Sequence, residues 1–419
     1  MRFSFWIVVA VAGFALLLQR RGRLGRYIAR RVPEPRRTIL RYLWGHLLAT
    51  CAVSIAAAVA TVSHTVSASE FLDADDLILR LMSKENVHGA AVALIKDNRI
   101  VLEKGYGVRD IATQTPVTTA TLFNIGSISK SFTALGVAQL VDQQKADLDV
   151  PVINYLPDLQ LRDSGVAQTL TLRRLLSHSS GLPADEHWPQ RTPPTRQDIV
   201  AEFARMAITA PPGTQFQYCT RCIVLAACVL ERITGQSWEA YTQTHIFLPL
   251  GMTTASFGPL GLEQAADRAQ PYRRDLDLGD VPVPWSRLQF LGPLGPGGGI
   301  DATIDGMARY ALLQLGDGTL SGDRLVSAQM MAELHRPETA VGDDWKPTAR
   351  AENLHYALGW FTDDINSVHH IYHKGANPGF RASFALVPSS KTGVVILTNG
   401  ESNSLINTAT QTLLERLLQ

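Results

Sequence analysis

Phe123-Asn124-Ile125-Gly126-Ser127-Ile128-Ser129-Lys130-Ser131-Phe132 sits where a strand-rich opening gives way to an apolar helix, and it holds the chain's one Ser-x-x-Lys. A helix brings residues three apart onto one face. Ser127 Oγ and the Lys130 amine are therefore expected within hydrogen-bond reach at the helix start. A lysine packed into an apolar turn has a depressed pKa and can stay neutral, and a neutral amine beside a hydroxyl is one recipe for an activated serine nucleophile. The tetrad is common by chance, so its weight rests on what surrounds it.

Upstream, residues 70–84 have the apolar spacing of a helix (Phe71, Leu72, Leu77, Ile78, Leu81), and 88–95 and 99–108 are β-rich runs around a hairpin at Asp97-Asn98. Downstream, from about 150 to 345, helical patterns alternate with Pro/Gly loops, clearest at Arg191-Thr192-Pro193-Pro194 and over 292–299. Strand character returns at 356–362, 369–373, 380–387 and 393–398, with a turn at 388–391, and an amphipathic helix closes the chain over 403–418. Strands from both ends with helices between them predict a mixed α+β fold. One antiparallel β-sheet is built from both chain ends and flanked by helices, and the long middle forms a largely helical inserted subdomain. The Ser127 helix starts at the seam between the two parts, where clefts form.

The chain has 419 residues, 46% hydrophobic and 18% charged, enough for one large domain or two small ones. Its formal charge of +1 conceals an asymmetry. Residues 1–68 carry ten of the 39 basic side chains, all arginine, and one of the 38 acidic ones, Glu34, which leaves 29 basic against 37 acidic side chains beyond. An acidic body argues against nucleic acid as a partner. Two uncharged apolar stretches, 3–18 and 42–69, bracket the arginines, and the second ends in Val66-Ser67-Ala68, the small-x-small pattern of a signal-peptidase site. Residues 1–68 thus read as a membrane or signal region and 69–419 as an exported domain, because arginine-rich flanks stay in the cytoplasm. The expected location is the periplasmic side of a bacterial inner membrane, with the domain anchored or released after cleavage. Residues 3–18 fit either a further span or sequence upstream of the true start.

Cys51 lies in the apolar N-terminal stretch; Cys219, Cys222 and Cys228 lie in the exported part. Cys219-Thr220-Arg221-Cys222 has no second Cys or His pair to complete a metal site, and a local disulfide and two ordinary thiols are both compatible with it. The same stretch carries Tyr218 just before the helical run 223–233, where a phenol can face a cleft; near cationic amines its pKa is expected to fall, fitting it to shuttle protons. A third element, His373-Lys374-Gly375-Ala376-Asn377-Pro378-Gly379-Phe380, falls on an expected strand. There Gly375 lets a ligand approach the backbone, and the neighbouring His373 or Lys374 can hold a negative group.

These three elements, in this order and at these intervals, resemble the serine β-lactamase and penicillin-binding-protein superfamily, within it the class C β-lactamase-like branch of peptidases and esterases grouped with D-alanyl-D-alanine carboxypeptidases. Leu175-Leu176-Ser177-His178-Ser179-Ser180-Gly181-Leu182-Pro183, Leu248-Pro249-Leu250-Gly251-Met252 and Gly297-Gly298-Gly299-Ile300-Asp301-Ala302-Thr303 also resemble that family, and the likeness covers residues 70–419. It implies a β-lactamase/transpeptidase-like fold, Ser127 as the acylated nucleophile, Lys130 as its adjacent amine and Tyr218 as the tyrosine of a Tyr-x-Asn element. His373 with Gly375 matches the sheet-edge element, and the backbone N–H groups of Ser127 and Ala376 match the oxyanion hole. No metal or cofactor is implied.

Two departures bear on specificity. Thr220 stands where the pattern has Asn, and a hydroxyl offers one donor where an amide offers two; this favours an ester-like or altered specificity. The third element reads His-Lys-Gly where the pattern has Lys-Thr-Gly. Lys391-Thr392-Gly393 matches literally, but it reads as a turn into a strand and lacks the Gly379-Phe380 that follows the His373 copy. His369, His370 and His373 cluster in sequence, yet alternate strand residues face opposite ways. The expected substrates are a small ester, a D-amino-acid amide or peptide, or a β-lactam. The alternative is a catalytically weak relative that binds peptidoglycan fragments or a protein in the same cleft.

Overall fold

A computed structural model describes residues 73–187 and 195–419. The expectations for residues 1–68, for the first turn of the 70–84 helix and for the loop 191–194 fall outside the described residues. Residues 73–85 are helical (α1). Nine strands then form one sheet: β1 (Gly89–Lys96), β2 (Arg99–Asp110), β3 (Thr115–Pro116), β4 (Thr339–Ala340), β5 (Ala351–Tyr356), β6 (Phe361–Ile365), β7 (Val368–Asn377), β8 (Phe380–Val387) and β9 (Thr392–Thr398).

The spatial order is β4-β5-β6-β7-β8-β9-β1-β2-β3, and every pairing is antiparallel. The two chain ends meet at the β1–β9 seam, where Ala90 pairs with Thr398 and Ile95 with Gly393. Both strands are apolar along nearly their whole length because they run through the middle of the sheet and are buried on both faces. The α+β architecture is the expected one, with one correction. The run 356–362 is not one strand: it holds the end of β5, the turn 357–360 and the start of β6. Gly359, at φ +82, turns the chain back there, and Ala357 N–H donates to Trp360 O at 2.7 Å. Tyr356 and Phe361 are good strand formers on either side of that turn, which is why the apolar pattern reads as continuous.

Four further helices complete the frame that positions the site: α2 (Ser129–Asp142), α3 (Thr220–Thr234), α4 (Ile304–Leu315) and α5 (Asn403–Leu417). α2 is buried from Ser129 through Leu140, as befits a helix apolar all round; Phe132 stacks on Tyr310 of α4 at 3.9 Å. α4 and α5 cover opposite faces of the sheet. Phe384 of β8 meets Tyr310 on one side, and its neighbour Ser383 accepts a hydrogen bond from Thr410 of α5 on the other. α3 begins after Cys219, whose side chain accepts from Cys222 N–H, and ends at Gly235 in the left-handed region. Cys219 and Cys222 form a disulfide across its first turn. Among the described residues no helix is long and apolar enough to cross a membrane.

Candidate active site

A short strand, Phe123–Asn124, pairs with Ile300–Ala302 and ends just before a single helical turn, Gly126–Ile128, that carries Ser127 into α2. Asn124, 2% exposed, organises that turn. Its Oδ1 accepts from Gly126 N–H at 3.0 Å and from Asn377 Nδ2, while its Nδ2 donates to Asp301 Oδ1 at 2.9 Å. Asp301 is fully buried, and burial raises its pKa well above the carboxylate range against the hydrogen bonds from Asn124 and Ser256. The turn meets β7 backbone to backbone. A Cβ on Gly375 would lie 1.9 Å from Ile125 O, and one on Gly126, at φ +54, 2.6 Å from Ala376 N. Two glycines are thus required for the nucleophile to reach the sheet edge.

Lys130 Nζ donates to Ser127 Oγ at 3.0 Å and to Gly297 O at 2.7 Å. It also lies 4.8 Å from the centre of the Tyr218 ring. Burial is the main cause that brings the lysine down to about 8, opposed by the charge of Asp185. Tyr218 moves the other way. Burial raises its pKa, and the neighbouring Ser127 hydroxyl only partly offsets the rise. The expected fall of the Tyr218 pKa is therefore reversed: loss of solvent outweighs the nearby amine, which burial itself drives toward neutrality. At neutral pH this site offers a phenol that keeps its proton and an amine of which about a tenth is free to accept one, a share that grows as pH rises through 8.

Ser127, Tyr218, Thr220 and Ala376 line one cavity of about 300 Å³, with Asp185 and Asn377. Lys130 lies beneath Ser127, and Gly375 packs under the nucleophile turn. Thr220 does not present its hydroxyl proton to the cavity. It donates that proton to Asp185 Oδ2 at 2.6 Å, and its N–H donates to Asp185 Oδ1 at 2.8 Å. His373 lies behind the cavity, 1% exposed. Its Nδ1–H donates to Lys374 O at 2.7 Å, and its Nε2 accepts from Tyr356 Oη at 3.0 Å. Burial, with help from Lys130, drives its pKa down to about 3, so the ring is neutral. His369 and His370 turn instead to Asp364 and Asp363. Lys391 is tied to Leu315 O and Asp317 in the turn after β8. Gly375 pairs with Ala382, so Lys391 lies beyond the far end of β8, roughly 15–20 Å along the strand.

Sequence reasoning missed Asp185, Asn124, Asn377 and His178. Asp185 N–H also donates to Tyr218 O at 2.9 Å, and His178 Nδ1 accepts from Cys219 N–H at 3.2 Å, so these two residues hold the peptide unit that joins Tyr218 to Cys219 from both of its polar ends. Nothing local in the sequence marks Asp185, and the family-like stretch around His178 does not show that residue's role, because their partners lie 33 to 41 positions away.

The Beta-lactamase family model matches residues 74–416. Penicillin-binding protein 4 of Amycolatopsis lactamdurans is 32% identical over 329 residues, which cover 76% of this chain and 83% of that protein. Protein flp of Staphylococcus aureus (strain N315) is 25% identical over 78% of this chain, and the match spans 62% of flp's own length. Among solved structures, the octameric penicillin-binding protein homologue from Pyrococcus abyssi superimposes with a TM-score of 0.72 at 26% identity, over 83% of this chain and 77% of that one. With a match that runs from α1 into α5, the chain belongs to the beta-lactamase family, a family of serine hydrolases.

Proposed function

We propose that Ser127 is acylated by its substrate and that Lys130 is the base that activates it. The observation that carries this is the 3.0 Å contact between Ser127 Oγ and a fully buried lysine held at about 8. Lys130 takes the hydroxyl proton as Oγ attacks the carbonyl carbon. The oxyanion gathers its negative charge beside the backbone N–H groups of Ser127 and Ala376, donors typically worth about 2.7–4 kcal/mol each. Tyr218 gives its proton to the leaving group and regains one from the Lys130 ammonium; water then adds to the acyl carbonyl and displaces Ser127 Oγ, which takes a proton from that water through the free Lys130 amine.

The charges around the cavity bear on the substrate. His373, at the position where the family pattern has a cation, is neutral and has both ring nitrogens engaged. Arg221 is met by Glu202 at 3.0 Å, and Asp185 brings a carboxylate to the cavity wall. Such a lining disfavours a carboxylate next to the scissile bond. The reading supported best is hydrolysis of esters and of D-amino-acid amides whose carboxylate is absent or capped. The name of one relative, a penicillin-binding protein, keeps β-lactams in the comparison. Turnover of p-nitrophenyl esters and D-alanine amide above that of a D-Ala-D-Ala peptide and a chromogenic cephalosporin is the expected outcome; the opposite order would overturn the substrate assignment. Because Thr220 is committed to Asp185, a weakly catalytic binding protein is the second reading. Labelling of Ser127 without turnover of any panel member would favour it.

Export is part of the same proposal, supported by the ten arginines of residues 1–68 and the uncharged stretch 42–69. A reporter active only outside the cytoplasm should be active when fused after Glu70 and silent when fused at Pro35. The reverse pattern would place the domain in the cytoplasm.

A further inference from the structure

A second cavity, of about 390 Å³, lies between α5 and the sheet face turned away from Ser127. Alternation along β7 sends His373 and Gly375 toward the nucleophile turn and His370, Tyr372 and Lys374 the opposite way. The walls are apolar, with Ile365, Val368, Leu414 and Leu418. The floor is polar and incompletely bonded. Asp363, 1% exposed, accepts from His370 Nδ1–H through Oδ1 at 3.1 Å, but its Oδ2 makes no well-formed hydrogen bond although the Tyr372 hydroxyl is close to the carboxylate. Tyr372 Oη, on a residue 8% exposed, faces the Asp363 carboxylate without making a well-formed hydrogen bond, and the buried Asn407 Oδ1 has no partner. The half-buried Lys374 ammonium feels the Asp363 charge without bonding to any described residue. Buried polar atoms without partners are rare in folded proteins, and here they share one cavity.

We propose that this cavity binds a hydrophobic zwitterion, an apolar amino acid or short peptide. Its ammonium would sit on Asp363 Oδ2 and Asn407 Oδ1, its carboxylate on Tyr372 Oη and Lys374 Nζ, and its side chain against the apolar walls. The floor offers unmet acceptors and unmet donors, including one full charge of each sign. A fatty acid would bring its carboxylate against Asp363, and an alkylamine would leave Lys374 unanswered. A neutral amphiphile would compensate neither charge, and burying charges uncompensated is costly.

Isothermal titration calorimetry on the full-length protein with L-leucine, D-leucine and Leu-Leu tests this. N-acetyl-leucine lacks the ammonium, leucinamide lacks the carboxylate, and isoamyl alcohol supplies the apolar part alone. At least one zwitterion should bind, and each blocked analogue should bind at least ~10-fold more weakly, as loss of a charge-assisted contact requires. Tyr372→Phe should weaken the zwitterion several-fold and change the thermal midpoint little, since it deletes a hydroxyl that makes no well-formed hydrogen bond in the free protein. Saturating zwitterion should leave the rate of fluorophosphonate labelling at Ser127 unchanged. If Asp363→Asn fails to fold, Tyr372→Phe and Asn407→Leu carry the test. Absence of zwitterion binding at millimolar concentration, equal binding of N-acetyl-leucine or isoamyl alcohol, unchanged affinity in Tyr372→Phe, or competition with the fluorophosphonate would each overturn the proposal.

Discussion

The two faces of β7 differ in how their polar groups are satisfied. On the face toward Ser127, Lys130 is bonded to Ser127 and Gly297, Asn377 to Asn124 and Gly298, and Asp185 to Thr220. On the opposite face, Asp363 Oδ2, Tyr372 Oη and Asn407 Oδ1 make no well-formed hydrogen bond, Tyr372 only facing the Asp363 carboxylate. The first face is organised before any substrate arrives, which is what a reaction centre needs if donors and base are to act without reorganising. The second has polar atoms waiting for partners, which suits binding and not chemistry. Substitutions should therefore behave differently on the two faces: costly to turnover on the first, nearly silent to turnover on the second.

The largest expected effect is at Ser127. Ser127→Ala should abolish labelling by a fluorophosphonate probe and leave a cooperative thermal transition. Persistent labelling at Ser129 or Ser131 would remove the nucleophile assignment. Next is Lys130→Met, which should lower the acylation rate by about 10²–10⁴-fold, the range for a proton-transfer group. Its stability should hold or rise, because it replaces a buried amine by an apolar chain of similar length. A thermal midpoint that collapses together with activity would mean that Lys130 is chiefly structural.

Asn124→Ala comes third. It strips Asp301 and Gly126 N–H of a partner and should cost about 1–3 kcal/mol of stability, measured by urea unfolding. Acylation should fall with it, by roughly tenfold or more, because the nucleophile turn loses its tie to Asn377. Wild-type acylation in this variant would show that the glycine contacts alone hold the turn. The smallest effects are expected from Lys391→Ala and Tyr372→Phe, each within about twofold of wild-type turnover. A large loss in Lys391→Ala would mean that Lys391-Thr392-Gly393 is the true sheet-edge element, and a large loss in Tyr372→Phe would erase the distinction between the two faces of β7.

What the sequence made legible follows the same division. The long apolar run of β1, the buried α2 and the return of strands near the C-terminus were readable because local pattern and tertiary position agree there. Ser127, Lys130 and Tyr218 were readable because they sit in short local motifs. Asn124 and Asn377 were not, since their hydrogen bond joins residues 253 positions apart. The bond from Thr220 to Asp185 was not legible, because that partner lies in a different loop, 35 positions upstream. His373 was readable as a sheet-edge residue but not as a neutral one, a property set by burial and by Tyr356. The second cavity left no motif at all, as alternate residues of one strand and one face of a distant helix have to be brought together before it exists.

The most direct test is the pH dependence of single-turnover acylation, measured on the wild type and on Tyr218→Phe. Lys130 must be unprotonated to act as base, and its pKa is about 8. The rate should therefore rise about tenfold between pH 7 and 9, with its midpoint near 8. Tyr218→Phe should lower the whole curve and leave that midpoint in place. A midpoint that disappears in Tyr218→Phe, or a wild-type rate that does not rise between pH 7 and 9, would contradict the assignment of Lys130 as the base.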